Sequence, residues 1–229
     1  KDRKRAPVPN AAIVGYTNAG KSSLLRALTG AQVLVEDKLF ATLDTTTRKI
    51  ELPNNQPLLL TDTVGFVRKL PHGLVEAFNA TLEEAVLSDF LIHVLDASQP
   101  EVLEFYETTR SVLAELGADS RRTLIVFNKI DAITDADSIP ALRDRFPDAV
   151  FISVKSGAGL PELIARISEF VADDLITLEL RIPQSRADLI ARLHRDADIR
   201  HTDYEGNDVL LRARLAPRAA AAYAEFTQS

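Results

Sequence analysis

The stretch that decides the fold is Ala11-Ala12-Ile13-Val14 followed by Gly15-Tyr16-Thr17-Asn18-Ala19-Gly20-Lys21-Ser22. The four apolar residues predict a buried strand, and the residues from Lys21 to Leu28 predict a helix. The loop between them matches GxxxxGK[ST], in which backbone N–H groups surround phosphate oxygens and the helix dipole favours negative charge. We therefore expect Gly15 to Ser23 to bind the phosphates of a nucleoside triphosphate.

The rest of the chain predicts one larger and one smaller folding unit. Up to about Asp173, apolar runs alternate with amphipathic segments, which is typical of a mostly parallel sheet covered by helices on both faces. After Leu175 the pattern predicts strands, an amphipathic helix capped by Ser185 and a hairpin turn at Glu205-Gly206-Asn207-Asp208. We expect an α/β fold with a six-stranded sheet over residues 11–173, a small α+β module over 174–229, and a linker from an absent N-terminal domain over 1–10.

Composition excludes several classes of protein. The chain has no Cys, which removes disulfides, thiolate nucleophiles and Cys-ligated zinc or iron–sulfur clusters. Its formal net charge is −6, which does not describe a general nucleic-acid binder, so no DNA partner is expected. The sequence contains no apolar run near the roughly 20 residues of a membrane span and no signal peptide. We expect a cytoplasmic monomer.

A second motif indicates which base is bound. Asn128-Lys129-Ile130-Asp131 follows the predicted strand Leu124–Phe127. A carboxylate at Asp131 can accept hydrogen bonds from N1–H and the 2-amino group of guanine, whereas adenine has neither donor on that edge, so such a site discriminates by roughly 10⁴. Ser153-Val154-Lys155 ends the last predicted strand and would place the Val154 N–H near guanine O6. The predicted ligand is GTP or GDP.

The same loops predict a Mg²⁺ ion. Lys21 would bridge the β- and γ-phosphates, and the Ser22 hydroxyl would ligate the ion. Asp62-Thr63-Val64-Gly65 has the form DxxG, in which Asp62 would hold Mg²⁺ through water and the Gly65 N–H would contact the γ-phosphate. Loss of that contact on hydrolysis would release the loop Phe66–Gly73, which predicts a two-state switch.

A threonine from the segment Gly30–Thr47 is expected to reach both Mg²⁺ and the γ-phosphate. Thr42 is preferred because it follows Leu39-Phe40-Ala41, and β-propensity at the start of the next strand explains the other threonines. The candidates are Thr42, Thr45, Thr46 and Thr47. The predicted catalytic residues are then Lys21, Thr42 and Gly65, and the predicted metal ligands are Ser22, Thr42 and Asp62.

Four runs of sequence resemble the HflX family of translational GTPases: GYTNAGKSSLLRALTG, LFATLDTTTR, DTVGFVRKLPHGLVEAF and NKID. The part after Leu175 resembles the small C-terminal module of that family. The resemblance implies a Ras-like P-loop GTPase that hydrolyses GTP to GDP and phosphate. It also implies binding to rRNA and protein of the large ribosomal subunit, with splitting or rescue of stalled ribosomes. Thr45 stands where the family more often has Pro.

Two positions bear on the rate of hydrolysis. Phe66 follows Gly65, where Ras-like proteins carry a Gln that orients the attacking water, and a phenyl ring cannot make that hydrogen bond. We therefore expect slow intrinsic hydrolysis that a partner accelerates; packing of Phe66 under the switch loop is the alternative. Asn18 lies where potassium-activated relatives such as MnmE carry an Asn ligand, so it indicates either a K⁺ site or a local Asx-type turn.

Two other functions stay open on the sequence alone. A GTP-dependent binding module with incidental hydrolysis is compatible with Phe66. A GTPase similar to Era or MnmE, acting in RNA assembly or modification, is compatible with the nucleotide motifs, but the runs LFATLD and DTVGFVRKLP argue against it.

Overall fold

A six-stranded sheet organises the part of the chain that precedes Asp173. The computed structural model describes residues 8–30, 46–53, 56–63, 65 and 85–228. The strands of the sheet are β1 (Asn10–Val14), β2 (Thr46–Leu52), β3 (Gln56–Asp62), β4 (Phe90–Asp96), β5 (Arg122–Asn128) and β6 (Val150–Phe151). They lie in the order β2-β3-β1-β4-β5-β6, and β1 runs parallel to β3 and β4, as β5 does to β4 and β6. The predicted α/β fold with a mostly parallel sheet is confirmed.

Helices provide the crossovers that parallel neighbours need, because two parallel strands cannot be joined by a tight turn. The sequence pattern does not predict the helix over Ser138–Arg145, since Leu142 is its one buried residue and the apolar residues of so short a segment give a weak helical period. None of the helices in the described part of the chain is long and apolar enough to cross a bilayer. The helices are α1 (Lys21–Thr29), α2 (Val102–Glu115), α3 (Ser138–Arg145) and α4 (Leu160–Asp173), and residues 85–87 are also helical.

The sheet core explains why the site residues are held firmly. Every residue of β4 is buried, as expected for a central strand covered on both faces. One cluster packs Val14 and Leu91 against Leu113 of α2, and another packs Phe127 against Phe151 with ring centroids 5.1 Å apart. The polar residues that end the strands are therefore fixed at one edge of a packed sheet.

The C-terminal module is a three-stranded antiparallel sheet with one amphipathic helix. Its order is β7-β9-β8, formed by β7 (Ile176–Pro183), β8 (Asp198–Glu205) and β9 (Asp208–Leu215). The predicted turn joins β8 to β9, and Gly206 takes a left-handed conformation there (φ 61°). After β9 come α6 (Pro217–Ala220) and a 3₁₀ segment, Ala221–Phe226.

The helix of this module begins later than predicted. The helix α5 spans Ala187–Asp196, and Ser185 lies in the preceding 3₁₀ turn. Arg186 occupies the N-cap position and makes no side-chain capping bond, so the prediction that Ser185 caps the helix was wrong. The buried face of α5 places Leu193 in a cluster with Leu180, Ile182 and Leu211. The module therefore has an apolar core of its own.

The chain divides into two compact units. One comprises Asn10–Lys49 and Leu59–Ile164, and the other comprises Lys1–Pro9, Ile50–Leu58 and Ala165–Ser229. The domain boundaries expected at residues 10 and 173 stay a prediction.

We predict that Leu193→Ala lowers the free energy of unfolding by about 2–4 kcal/mol, because it leaves a cavity where a fully buried side chain packed. Urea denaturation measures the change. Arg195→Ala, on the exposed face of the same helix, is the matched control and should change the value by less than about 0.5 kcal/mol. Equal losses in the two variants would contradict this account of the module.

Candidate nucleotide site

The loop between β1 and α1 is anchored in the core at both ends. Residues 11–14 of β1 are buried, and α1 buries Leu24 and Leu25 while it begins at Lys21. The first N–H groups of a helix lack acceptors within the helix, and they carry the positive end of its dipole. This strand–loop–helix geometry is the one that binds phosphate groups.

Position 20 needs a glycine for two reasons, its backbone conformation and the closeness of Asn128. It occupies the N-cap of α1 with φ 99°, a conformation that residues with a Cβ rarely adopt. A Cβ at this position would lie 2.3 Å from Nδ2 of Asn128. The loop can therefore approach the end of β5 only because this residue is glycine.

A tight turn shapes the middle of the loop. The Ala19 N–H donates to the Tyr16 carbonyl at 3.3 Å, and Asn18 has a left-handed backbone (φ 62°). Asn tolerates this conformation better than most residues that carry a Cβ. The turn by itself accounts for an Asn at this position, and the K⁺ site stays a prediction.

Lys21 is buried and close to the loop backbone. Its side chain, in a residue only 6% exposed, donates from Nζ to the Tyr16 carbonyl at 2.9 Å. Burial lowers the pKa of Lys21 from 10.5 to about 8, and the nearby Asp62 carboxylate opposes part of that change. At neutral pH the residue is a buried cation, which is the group that phosphate oxygens need.

Ser22 and Asp62 meet where the sequence predicts the metal ion. The Ser22 hydroxyl donates to Oδ2 of Asp62 at 2.5 Å, and Asp62 is buried at the end of β3. A hydroxyl and a carboxylate are hard oxygen donors of the kind Mg²⁺ prefers. The two residues therefore fit the ion.

Gly65 lies against the phosphate loop. A Cβ at this position would be 2.5 Å from Cα of Thr17 and 2.9 Å from Nζ of Lys21. The backbone of Gly65 therefore lies beside the phosphate-binding loop. Residue 64 and the expected switch loop Phe66–Gly73 lie outside the described residues.

The structure describes two of the four candidate threonines. Thr46 and Thr47 belong to β2, and the Thr47 hydroxyl hydrogen bonds to the Thr61 hydroxyl at 2.8 Å. Thr42 and Thr45 lie outside the described residues, so the choice of Thr42 stays a prediction. Ser23 lies in the first turn of α1, where Arg26 donates to its hydroxyl at 3.5 Å.

Asn128 connects three loops. Its Nδ2 donates to the Ala19 carbonyl at 3.0 Å, and its Oδ1 accepts from the Val154 N–H at 3.1 Å. Lys129, the next residue, donates from Nζ to the Asn18 carbonyl at 2.7 Å. The motif that was assigned to the base thus also binds the phosphate loop directly.

Asp131 is an exposed carboxylate held in place by Ser153. The buried Ser153 hydroxyl donates to Oδ1 of Asp131 at 2.6 Å. This hydrogen bond is the largest cause of a lowered pKa for Asp131, with smaller contributions from Lys155 and Lys129. The carboxylate is therefore ionised at neutral pH and can accept hydrogen bonds. The Val154 N–H, expected near guanine O6, donates to Asn128 instead, so the O6 contact stays a prediction.

Asp96 is a site residue that none of the sequence motifs contains. This residue ends β4, between the strands that carry the phosphate loop and Asn128, and its Oδ2 lies 2.8 Å from Nζ of Lys129. The available signal is its position: it is a charged residue that ends a mostly apolar strand, which the structure places in the middle of the sheet.

The fold and this loop cluster define a P-loop nucleotide-binding protein. A family model described as "50S ribosome-binding GTPase" matches residues 10–129. The chain therefore belongs to this GTPase family, and the predicted HflX resemblance is confirmed by curated relatives named "GTPase HflX".

Three comparisons show the extent of the similarity. "GTPase HflX" of Akkermansia muciniphila is 51% identical over 219 residues, which cover 94% of this chain and 50% of the relative. A GTP-binding protein of Sulfolobus solfataricus in complex with GDP is 31% identical with a TM-score of 0.56, over 71% of this chain and 52% of that one. Era of Aquifex aeolicus bound to GDP and AlF₄⁻ is 28% identical with a TM-score of 0.55, over 72% and 57%. The chain spans about half the length of the curated relatives it matches.

We predict that Lys21→Met stabilises the nucleotide-free protein at pH 7 by about 1–3 kcal/mol, because Met does not bear the cost of burying a charge. The lost hydrogen bond to Tyr16 offsets about 1 kcal/mol of that gain. Between pH 8 and 10.5 the folded wild type loses the Lys21 proton while the unfolded chain keeps it, so wild-type stability rises with pH and the difference shrinks.

Urea denaturation at pH 7 and pH 10 measures both free energies of unfolding. A variant that is less stable than the wild type at both pH values would show that burial of the charge is not what lowers this pKa.

Proposed function

We propose that this chain binds GTP at the loop cluster described above and hydrolyses it to GDP and phosphate. One observation carries the proposal. The ionised Asp131 carboxylate, oriented by Ser153, belongs to the same set of hydrogen-bonded loops as the buried cation Lys21. A guanine ring and a triphosphate are the two ends of one ligand that these groups complement.

Base recognition rests on Asp131. Its carboxylate accepts from N1–H and the 2-amino group of guanine, and a nucleotide without those donors leaves a charged acceptor unpaired. Ser153 keeps one oxygen directed and the group ionised. Asn128 sets the distance between this base site and the phosphate loop, because it bonds to both segments.

Phosphate binding rests on the loop and Lys21. The N–H groups around Gly20 and the Nζ of Lys21 neutralise charge on the β- and γ-phosphates as it shifts during bond cleavage. Ser22 and Asp62 would hold Mg²⁺, which supplies further charge neutralisation when it is bound. Gly65 lies beside Lys21 and the phosphate loop, and its N–H would contact the γ-phosphate there.

We also propose a role for this chain on the ribosome. The matched family model is described as 50S ribosome-binding, and the motifs between the nucleotide-binding residues resemble HflX proteins. We propose that the GTP form binds the large ribosomal subunit in the cytoplasm and that this partner accelerates a slow intrinsic reaction. Phe66, which cannot orient water, is the residue that makes an activating partner necessary.

We predict that Asp131→Asn weakens GDP binding by roughly 10³-fold and improves XDP binding, because an amide N–H then faces the 2-position. Calorimetric titration of both nucleotides with Mg²⁺ present measures the exchange. Asp119→Asn, an exposed carboxylate before β5, makes the same charge change and should leave both affinities within about twofold. Unchanged GDP affinity in Asp131→Asn would defeat the guanine assignment.

We predict that purified large ribosomal subunits raise GTP turnover by this chain by at least about tenfold, within the 10³–10⁵ available from a missing transition-state contact. Turnover is measured as released phosphate, in K⁺ and in Na⁺. Stimulation by K⁺ without ribosomes would assign a catalytic role to Asn18. Tight GTP binding with no turnover under any condition would favour the GTP-dependent binding module instead.

A further inference from the structure

One ammonium group joins two strained parts of the site. Nζ of Lys129 lies 2.8 Å from Oδ2 of Asp96 and donates to the Asn18 carbonyl at 2.7 Å. Among the residues that the structure describes, Asn18 and Lys129 are the two non-glycine residues with a left-handed backbone (φ 62° and 64°). Such conformations persist where surrounding contacts hold them, and they cluster at functional sites.

The Asp96 carboxylate is fixed before it reaches Lys129. Oδ1 accepts from the Ser98 N–H at 3.0 Å and from the Ser98 hydroxyl at 2.6 Å, in the turn that follows β4. The next backbone N–H, of Ala97, donates to the Asn128 carbonyl at 2.9 Å. Asp96 is 8% exposed, and its Oδ2, which also accepts from Nε2 of Gln99 at 3.5 Å, lies beside the Lys129 ammonium.

The buried Asp96 carboxylate is paired with the Lys129 ammonium, and that ammonium also donates to the Asn18 carbonyl. Burying an unpaired charge is costly, so Asp96 holds the Lys129 ammonium at the edge of the sheet. From that position the same ammonium reaches the turn of the phosphate loop. With the Asn128–Ala19 bond, this gives two links between the base segment and the phosphate loop.

We propose that Asp96 is a positioning residue for the nucleotide site: its carboxylate holds Lys129 where it clamps the phosphate loop through the Asn18 carbonyl. The proposal rests on the proposed binding of guanine nucleotide. The clamp orders the loop and the base segment as one unit, so that less conformational entropy is lost when the nucleotide binds. Asp96 itself does not touch the nucleotide.

The test is a double-mutant cycle read out as GDP affinity. Asp96→Asn keeps the acceptor for Ser98 but removes the charge that holds Lys129, and it should raise the dissociation constant of GDP by roughly tenfold. In a Lys129→Gln background the same change should alter the constant by less than about twofold, because the residue it acts through is gone. The kcat of the Asp96→Asn single variant at saturating GTP should stay within about twofold of the wild-type value.

Three further variants separate the clamp from general structure. Asp144→Asn, an exposed carboxylate on α3, makes the same charge change and should leave GDP affinity unchanged. Ser98→Ala removes the hydroxyl bond to Asp96 and should also have little effect, since the backbone N–H of residue 98 still holds Oδ1 and the pair with Lys129 remains. Asp96→Glu keeps the charge, and its GDP affinity should lie between those of the wild type and Asp96→Asn. This variant keeps the test possible if Asp96→Asn does not fold.

Two outcomes would overturn the inference. An equal effect of Asp96→Asn in the wild-type and Lys129→Gln backgrounds would mean that Asp96 acts through its turn alone. Unchanged GDP affinity in a folded Asp96→Asn protein would mean that the clamp does not matter for binding. Failure of the wild type to bind GDP is a different result, visible before any variant is made, and it would overturn the proposed function itself.

Discussion

The buried amide of Asn128 is the contact on which the rest of the site depends. It donates to the loop after β1 and accepts from the segment after β6, although it lies 109 residues from the first and 26 from the second. An amide that is only 2% exposed must find partners for its donors and acceptor, and here the partners are backbone groups of two different loops. The parallel sheet makes this possible, since β1, β5 and β6 all end at the same edge.

The site is built from features that cost stability. Lys21 is a buried cation with a lowered pKa, and two non-glycine residues near it have left-handed backbones. Neither feature is favourable for folding taken alone, and both place charge or backbone dipoles where a triphosphate would lie. The apolar sheet core, with a fully buried central strand, offsets that cost. Rigidity in the core is therefore what allows strain at its edge.

Local pattern was enough for much of the fold. Both the strand before Gly15 and the helix after Gly20 were expected, because apolar residues and a glycine-rich turn are short-range signals. The hairpin at Gly206 was expected for the same reason. Elements whose boundaries depend on tertiary packing were predicted less well. The helix α3 has a single buried residue, and the Ser185 hydroxyl does not cap α5 because that helix begins after Arg186.

The sequence by itself determined which chemical groups are available and predicted their roles: a glycine loop with Lys21 for phosphate, Asp131 for the base and Asp62 for a cation. Only the tertiary structure decided how those groups are supported. Asp96 is paired with Lys129, and Lys129 reaches a carbonyl 111 residues away. A motif is local, because residue types at a fixed spacing are enough to recognise it. Contacts between distant loops depend on strand order and register, which come from packing of the whole sheet.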